Sequence, residues 1–251
     1  MRYAKKYSHF LLKRDFSELN TFSNCKRNHV LKALSALAKF LGMYEEFKGL
    51  MKSYGLKWSS VKAEDLIISR LTNANGNSTI FKWISEVKSE LPKLEVFLDF
   101  VLVSGLRYNE SIRAYNLVIE LAKEGKLSEY YNEENGVLEH FRFKQHFIRR
   151  TKKAFISFIP KQLIERISKS ERLDWCQIQN WIKRKDLRLK FSDVREFWAT
   201  YMTKHLRQPE IDFLQGRVSA SVFMRNYFNP ALIIDLKERV FKGIADLKVL
   251  A

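Results

Sequence analysis

At 251 residues the chain has room for one large domain or two modest ones, and 46% hydrophobic residues, with 19 Phe and 10 Tyr, exclude a disordered tail. Forty-five Lys and Arg against 28 Asp and Glu give a formal net charge of +17, which points to a polyanionic partner, nucleic acid before an anionic membrane surface. No run of roughly 18–20 apolar residues offers a membrane span, and no signal-type apolar run follows Met1-Arg2-Tyr3-Ala4-Lys5-Lys6, so a cytoplasmic, DNA-associated protein is expected.

The first seventy residues read as short helices. Tyr3 to Leu12 is the first. From Asn28 to Leu41, Val30, Leu31, Leu34, Leu37, Ala38 and Leu41 fall on one face, with Lys32 and Lys39 elsewhere. Tyr44 to Tyr54 repeats the pattern through Phe47, Leu50 and Met51, and Lys62 to Leu71 follows with Ser59-Ser60 as candidate caps. Residues 1–75 carry fourteen Lys/Arg against six Asp/Glu, so this small bundle is itself basic. Thr72-Asn73-Ala74-Asn75-Gly76-Asn77-Ser78 is turn-forming and cannot build a core, which sets a domain boundary there: 1–74 and 75–251.

Beyond it, Thr79 to Glu90 is predicted helical, and Pro92 suits the first turn of a helix running to Ser104. Another helix is expected from Asn109 to Lys123, then a polar loop from Gly125 to Asn135. The period then shortens. Val137 to Ile148 alternates moderately and Ala154-Phe155-Ile156-Ser157-Phe158-Ile159 is aromatic and β-branched, so a hairpin is predicted with Arg149-Arg150-Thr151-Lys152-Lys153 as its cationic turn. Helices resume at Asp174–Lys183, Ser192–Lys204, Gln208–Leu214, Val218–Tyr227 and Pro230–Leu247. The fold class is therefore mainly α (α+β): a small helical bundle followed by a mostly helical domain with a small antiparallel β-sheet.

The last quarter holds the chemistry. Arg195 and Arg217 precede Tyr227 at intervals that suit phosphoryl transfer. An arginine presents a planar, permanently charged fork to a phosphate, and a tyrosine oxygen can attack phosphorus and hold it covalently. With Arg107 far upstream, these residues point to DNA strand exchange through a phosphotyrosine. Cys25 and Cys176 share no metal-ligand spacing and read as buried inert thiols. His140 and His205 fall on no motif and read as surface histidines. Trp175, Trp181, Phe197 and Trp198 sit at helical spacing and read as core. Glu110 reads as a structural partner.

A family resemblance rests on these residues. Ser104-Gly105-Leu106-Arg107-Tyr108-Asn109-Glu110 resembles the first arginine box of the tyrosine recombinases, the class of phage integrases and Xer-type resolvases. Phe191-Ser192-Asp193-Val194-Arg195-Glu196-Phe197-Trp198-Ala199-Thr200 resembles the second box. Leu214-Gln215-Gly216-Arg217 stands where the family has Leu-Gly-His, and Asn226-Tyr227 where it has the nucleophile. The likeness is nearest to archaeal virus and plasmid integrases. It covers residues 79–230, and residues 1–71 as a helical core-binding domain. Two positions depart from the pattern: Ser192 replaces the second-box histidine, with Lys190 a nearby cation, and Arg217 replaces the later histidine, one residue further from the tyrosine. Arg217 can donate hydrogen bonds but stays protonated and makes a poor base.

The resemblance implies a site-specific recombinase with Tyr227 as nucleophile, Arg107, Arg195 and Arg217 as the clamp, and a hairpin lysine, Lys152 ahead of Lys153, protonating the leaving 5′ oxygen. It implies a catalytic domain over 75–251, double-stranded DNA at an attachment site as partner, a homotetramer on two duplexes and no membrane. The phosphotyrosine conserves the bond, so no cofactor, metal or ATP is expected. Family members often carry an arm-binding domain ahead of the core-binding one, so the chain is expected to be a C-terminal piece of a longer integrase. Two alternatives keep the residues but not the activity: a DNA-binding relative that has lost turnover, and a type IB topoisomerase.

Overall fold

A computed structural model describes residues 2–58, 63–72, 77–149, 152–187, 190–218, 223 and 226–247. The linker residues 73–76, the candidate caps Ser59-Ser60 and the hairpin tip Arg150-Thr151 lie outside the described residues, as does most of the expected helix Val218–Tyr227. The chain divides into two compact units, Met1–Ala74 and Asn75–Ala251.

The first unit is helical: α1 (Arg2–Lys13), α2 (Asn24–Phe40), α3 (Tyr44–Ser53) and α4 (Ala63–Thr72). Positions three and four apart on α1 and α2 bury Tyr7, Phe10 and Leu11 against Val30, Leu31, Leu34 and Ala38, closed by Phe16, Leu19, Phe47 and Met51. Leu41, expected on the buried stripe, is exposed instead, because α2 ends at Phe40.

The second unit is built round α6 (Glu95–Ser104), apolar on every side, whose residues Phe97 to Ser104 are all buried. Packed on it are α5 (Asn77–Glu90), α7 (Tyr108–Lys123), α9 (Lys161–Ser168) and α11 (Phe191–Met202). Asp99 in the middle of α6 ties two of them, accepting from Lys88 of α5 at 2.5 Å and Arg166 of α9 at 3.0 Å. Burial pushes its carboxyl up from the ordinary value, and those two cations oppose the shift. The remaining helices are α8 (Lys144–Phe147), α10 (Trp175–Arg184, capped by the Asp174 side chain), α12 (Gln208–Leu214) and α13 (Leu236–Asp246). A three-stranded antiparallel sheet, β1 (Tyr131–Asn132), β2 (Val137–Leu138) and β3 (Ser157–Phe158), lies in that order, pairing Asn132 with Val137 and Val137 with Phe158. The mainly helical class with a small antiparallel sheet is as the sequence predicts. No helix of the described residues is long and apolar enough to cross a membrane.

Several local expectations give way. The predicted loop Gly125–Asn135 contains a 3-10 turn, Leu127–Glu129, and strand β1. Val137–Ile148 is no continuous strand: His140, Phe143 and Phe147, at helical spacing, turn inward as a 3-10 turn and α8. The hairpin pairs at two places: Val137-Leu138 with Ser157-Phe158, and next to the turn, where Ile148 bridges Lys153 and the Arg149 amide donates to the Lys152 carbonyl at 2.8 Å. Helix α9 was not expected; its Leu163, Ile164 and Ile167 form one buried face after Pro160. The expected helix Pro230–Leu247 is interrupted, since the Asn229 side chain caps a 3-10 turn and Ile233 is extended before α13 begins. The apolar side of α13, Leu236, Val240 and Ile244, is buried within its own unit.

Both cysteines are exposed, not buried. His140 is fully buried, not on the surface: its Nδ1 meets the Tyr130 hydroxyl at 2.7 Å and its Nε2 the Ser157 hydroxyl at 2.9 Å, and burial drives its pKa down to about 3. The two polar neighbours come from the residue before β1 and from β3, which the fold brings together round it. His205 is half-buried, with Nε2 3.4 Å from the Asp246 carboxylate of α13. Phe197 and Trp198 are core as expected, with Trp175 and Trp181 packed partly buried against it.

Candidate functional site

Arg107 stands at the N-cap of α7, one helix after α6 ends in a left-handed Gly105 (φ +60°). A Cβ at Gly105 would lie 2.4 Å from the Trp198 ring, so only glycine lets α11 pack against this turn. Glu110, fully buried three residues into α7, holds Arg107 twice: its carboxylate caps the Arg107 amide at 3.3 Å and receives Nη1 at 3.0 and 3.1 Å. The structural role read for Glu110 thus has a definite geometry. The same Nη1 lies 3.3 Å from the carbonyl of Lys153 on the hairpin.

Arg195 projects from the first turns of α11 into the same place. Its Nη1 donates to the Gly105 carbonyl at 2.9 Å and its Nη2 to the Gln215 carbonyl at 2.7 Å, while the Gln215 side-chain Nε2 donates to the Arg195 carbonyl at 3.0 Å. The guanidinium is thus spread between two carbonyls, with no carboxylate hydrogen-bonded to it among the described residues. Burial lowers its pKa to about 9; the nearby charges of Arg107 and Arg217 push the same way and Glu110 opposes them. At neutral pH it remains a cation.

Arg217 follows the end of α12, which closes as a Schellman turn: the Gly216 amide bonds to the Phe213 carbonyl and the Arg217 amide to that of Asp212, at 2.9 and 2.7 Å. Gly216 is left-handed (φ +63°) and its backbone lies directly on the hairpin, since a Cβ there would sit 1.5 Å from the Lys153 carbonyl oxygen. One Arg217 nitrogen is 3.7 Å from the Asp212 carboxylate, and the side chain is otherwise largely exposed. Arg107 is hydrogen-bonded to the hairpin backbone and Arg195 to the backbone at Gly105 and Gln215, and both Arg107 and Arg217 act on Arg195 electrostatically.

Lys152 is exposed and Lys153, bridged to Ile148, is half-buried. Tyr227 is 72% exposed and ends a helical turn, its amide 2.9 Å from the Phe223 carbonyl. The chain folds back beside it through Phe228, which packs on Phe213 of α12 with ring centres 5.6 Å apart. No hydrogen bond joins Tyr227 to the three arginines among the described residues. Ser192 lines a cavity of about 360 Å³ with Arg107, Arg195, Tyr108, Trp175 and Phe191, yet its hydroxyl donates to the adjacent Asp193 at 3.0 Å. Lys190 is half-buried at the N-cap of α11.

Two participants escape a reading of the sequence. Gln215 is a motif neighbour whose carbonyl orients Arg195, and Arg149, within the cationic run, places Nη2 3.3 Å from the Glu110 carboxylate. Both pairings span segments far apart in the chain, so no local pattern announces them.

Such an arrangement can bind a phosphodiester. Four guanidinium groups, Arg107, Arg149, Arg195 and Arg217, stand against the carboxylates of Glu110 and Asp212, leaving an excess of fixed positive charge that is partly buried and organised before a ligand arrives. A family model described as archaeal phage integrase matches residues 73–242. No curated protein and no solved structure matches the chain.

Proposed function

The chain belongs to the archaeal phage integrase family, which makes it an integrase in the general sense, and from that premise we propose that it cuts and rejoins duplex DNA at a specific site through a covalent link to Tyr227. The observation that carries this reading is the meeting of Arg107, Arg195 and Arg217, from three distant segments, beside the hairpin that bears Lys152.

In the proposed reaction the Tyr227 oxygen attacks the phosphorus and gives up its phenolic proton to water. The phosphorus–O5′ bond breaks, leaving a 3′-phosphotyrosine. Lys152 donates a proton to the departing oxygen and becomes an amine, and the free 5′ hydroxyl results. The arginines stabilise the charge that grows on the non-bridging oxygens. Rejoining reverses each step with another strand's 5′ hydroxyl, so the link conserves the energy of the bond and no metal or ATP is required. In this scheme Arg217 serves as a hydrogen-bond donor only, and Ser192 as a weak donor at the cavity wall.

The division of labour is proposed with it: residues 75–251 form the catalytic domain and the basic bundle 1–74 is a core-binding domain that grips phosphates, with affinity falling steeply as salt rises. A tetramer on two duplexes would pair the cleaved strands.

Covalent capture tests the proposal. The protein is incubated with a pool of nicked duplexes of random sequence, and adducts that survive denaturing electrophoresis are recovered and sequenced. A band enriched for one sequence and lost in Tyr227→Phe is expected. A mobility shift with no adduct would show a DNA-binding relative without turnover, and adducts without sequence preference a topoisomerase.

A further inference from the structure

The cationic run before Lys152 contains an arginine that the proposed reaction does not use. Arg149 and Lys152 close the hairpin, the Arg149 amide donating to the Lys152 carbonyl at 2.8 Å, with Ile148 bridged to Lys153 one step below. The Arg149 side chain turns towards α7, where Nη2 lies 3.3 Å from Oε1 of Glu110. That oxygen also receives Nη1 of Arg107 at 3.0 Å, and Arg107 in turn donates to the Lys153 carbonyl at 3.3 Å. The hairpin base is therefore fastened to the clamp at two points, once through its own backbone and once through Arg149 and Glu110.

A direct grip on DNA by Arg149 fits less well. Its Nη2 is engaged by a fully buried carboxylate, and its Nε is itself buried with no hydrogen-bond partner among the described residues. An unpaired buried donor is a cost that proteins retain chiefly where a side chain is held for a purpose. Glu110 meanwhile serves two arginines with one charge, so removing Arg149 leaves Arg107 with its partner intact.

Resting on the recombinase reading, we propose that Arg149 is a positioning residue: through Glu110 it sets the hairpin so that Lys152 can protonate the leaving 5′ oxygen. Without it the phosphate is still bound and attacked, but the proton arrives late.

A change of leaving group separates the possibilities. The captured duplex is made with sulfur in place of the bridging 5′ oxygen at the scissile phosphate. A thiolate departs without a proton, because it is stable near neutral pH. Arg149→Ala should form adduct roughly 10–100-fold more slowly than wild type on oxygen DNA, within the range general acids supply, and within about threefold of wild type on sulfur DNA, as Lys152→Ala should also do. Its affinity for DNA should keep the wild-type salt dependence. The Arg149 backbone amide should exchange hydrogen faster in the variant, which reads the hairpin directly, and Arg149→Lys, which can still reach a carboxylate, should fall between.

Equal slowing on both substrates, with a salt slope lower by about 0.9, would make Arg149 a phosphate contact and overturn the inference. Unchanged amide exchange would overturn it too. If the wild-type chain forms adduct on neither substrate, the recombinase reading fails and the inference with it; if wild type cleaves and Arg149→Ala is slow on both, only the inference fails.

Discussion

Alanine at Gly216 attacks the closest approach in the site. The backbone there is left-handed, and an L-residue held so costs roughly 1 kcal/mol. The new Cβ would lie 1.5 Å from the Lys153 carbonyl oxygen and 2.5 Å from its carbon, where ordinary contact begins at about 3.5 Å. The hairpin or the end of α12 must therefore retreat by about 2 Å. Neither is the loose end of a side chain: one is held by Arg107 at the same carbonyl, the other by the Schellman turn. Adding about 1–3 kcal/mol for overpacking gives a total of about 2–4 kcal/mol. Gly125→Ala is the control, with φ +69° and nothing within 4 Å, and should lose only the conformational part, about 1 kcal/mol. In a unit of this size each kcal/mol lowers Tm by roughly 2–4 °C, so falls of about 4–16 °C and 2–4 °C are expected. Adduct formation should separate the two more sharply, since a displacement of an ångström can cost about a hundredfold. Urea titration and the rate of covalent capture measure both effects. Gly216→Ala no less stable than Gly125→Ala, or with a wild-type rate, would refute the close packing of hairpin on helix end.

Two further outcomes follow from the same geometry. Arg195→Lys keeps the charge but cannot span the Gly105 and Gln215 carbonyls, 2.9 and 2.7 Å from separate nitrogens; the adduct rate should drop by about 10²–10³ with little change in DNA affinity, and a drop under threefold would contradict the fork's role. For His140 the folded pKa near 3 lies below the ordinary 6.5, so the unfolded chain binds more protons between those values and stability is lost as pH falls from 6.5 towards 3. That loss is about 2 kcal/mol by pH 5, and His140→Gln should remove it; urea midpoints at pH 7 and 5 that shift equally in both proteins would exclude the mechanism.

Helix positions were legible wherever an apolar stripe ran at helical spacing between turn residues, as in α2 and α12. The strand prediction at Val137–Ile148 held at Val137-Leu138 and gave way beyond it for a physical reason: a short aromatic segment satisfies either period, and burial of Phe147 and His140 decided for the helical one. At the site, residue type and interval drew attention to Arg107, Arg195, Arg217 and Tyr227, and the family resemblance assigned their roles and added Lys152. Neither showed their relations.

Residue type and spacing alone thus determined a basic, mainly helical chain with an arginine, lysine, arginine, tyrosine order suited to phosphoryl transfer. The tertiary structure decided what those residues do to one another: that one buried carboxylate serves both Arg107 and Arg149, that Arg195 is stretched between two carbonyls, and that Gly216 lies against the hairpin. A local pattern records which side chains a segment offers to its own helix or strand. Hydrogen bonds from Arg107 to Lys153 and from Arg195 to Gly105 and Gln215 depend on how α6, α7, the hairpin, α11 and α12 come together round the core, and no single segment carries that information.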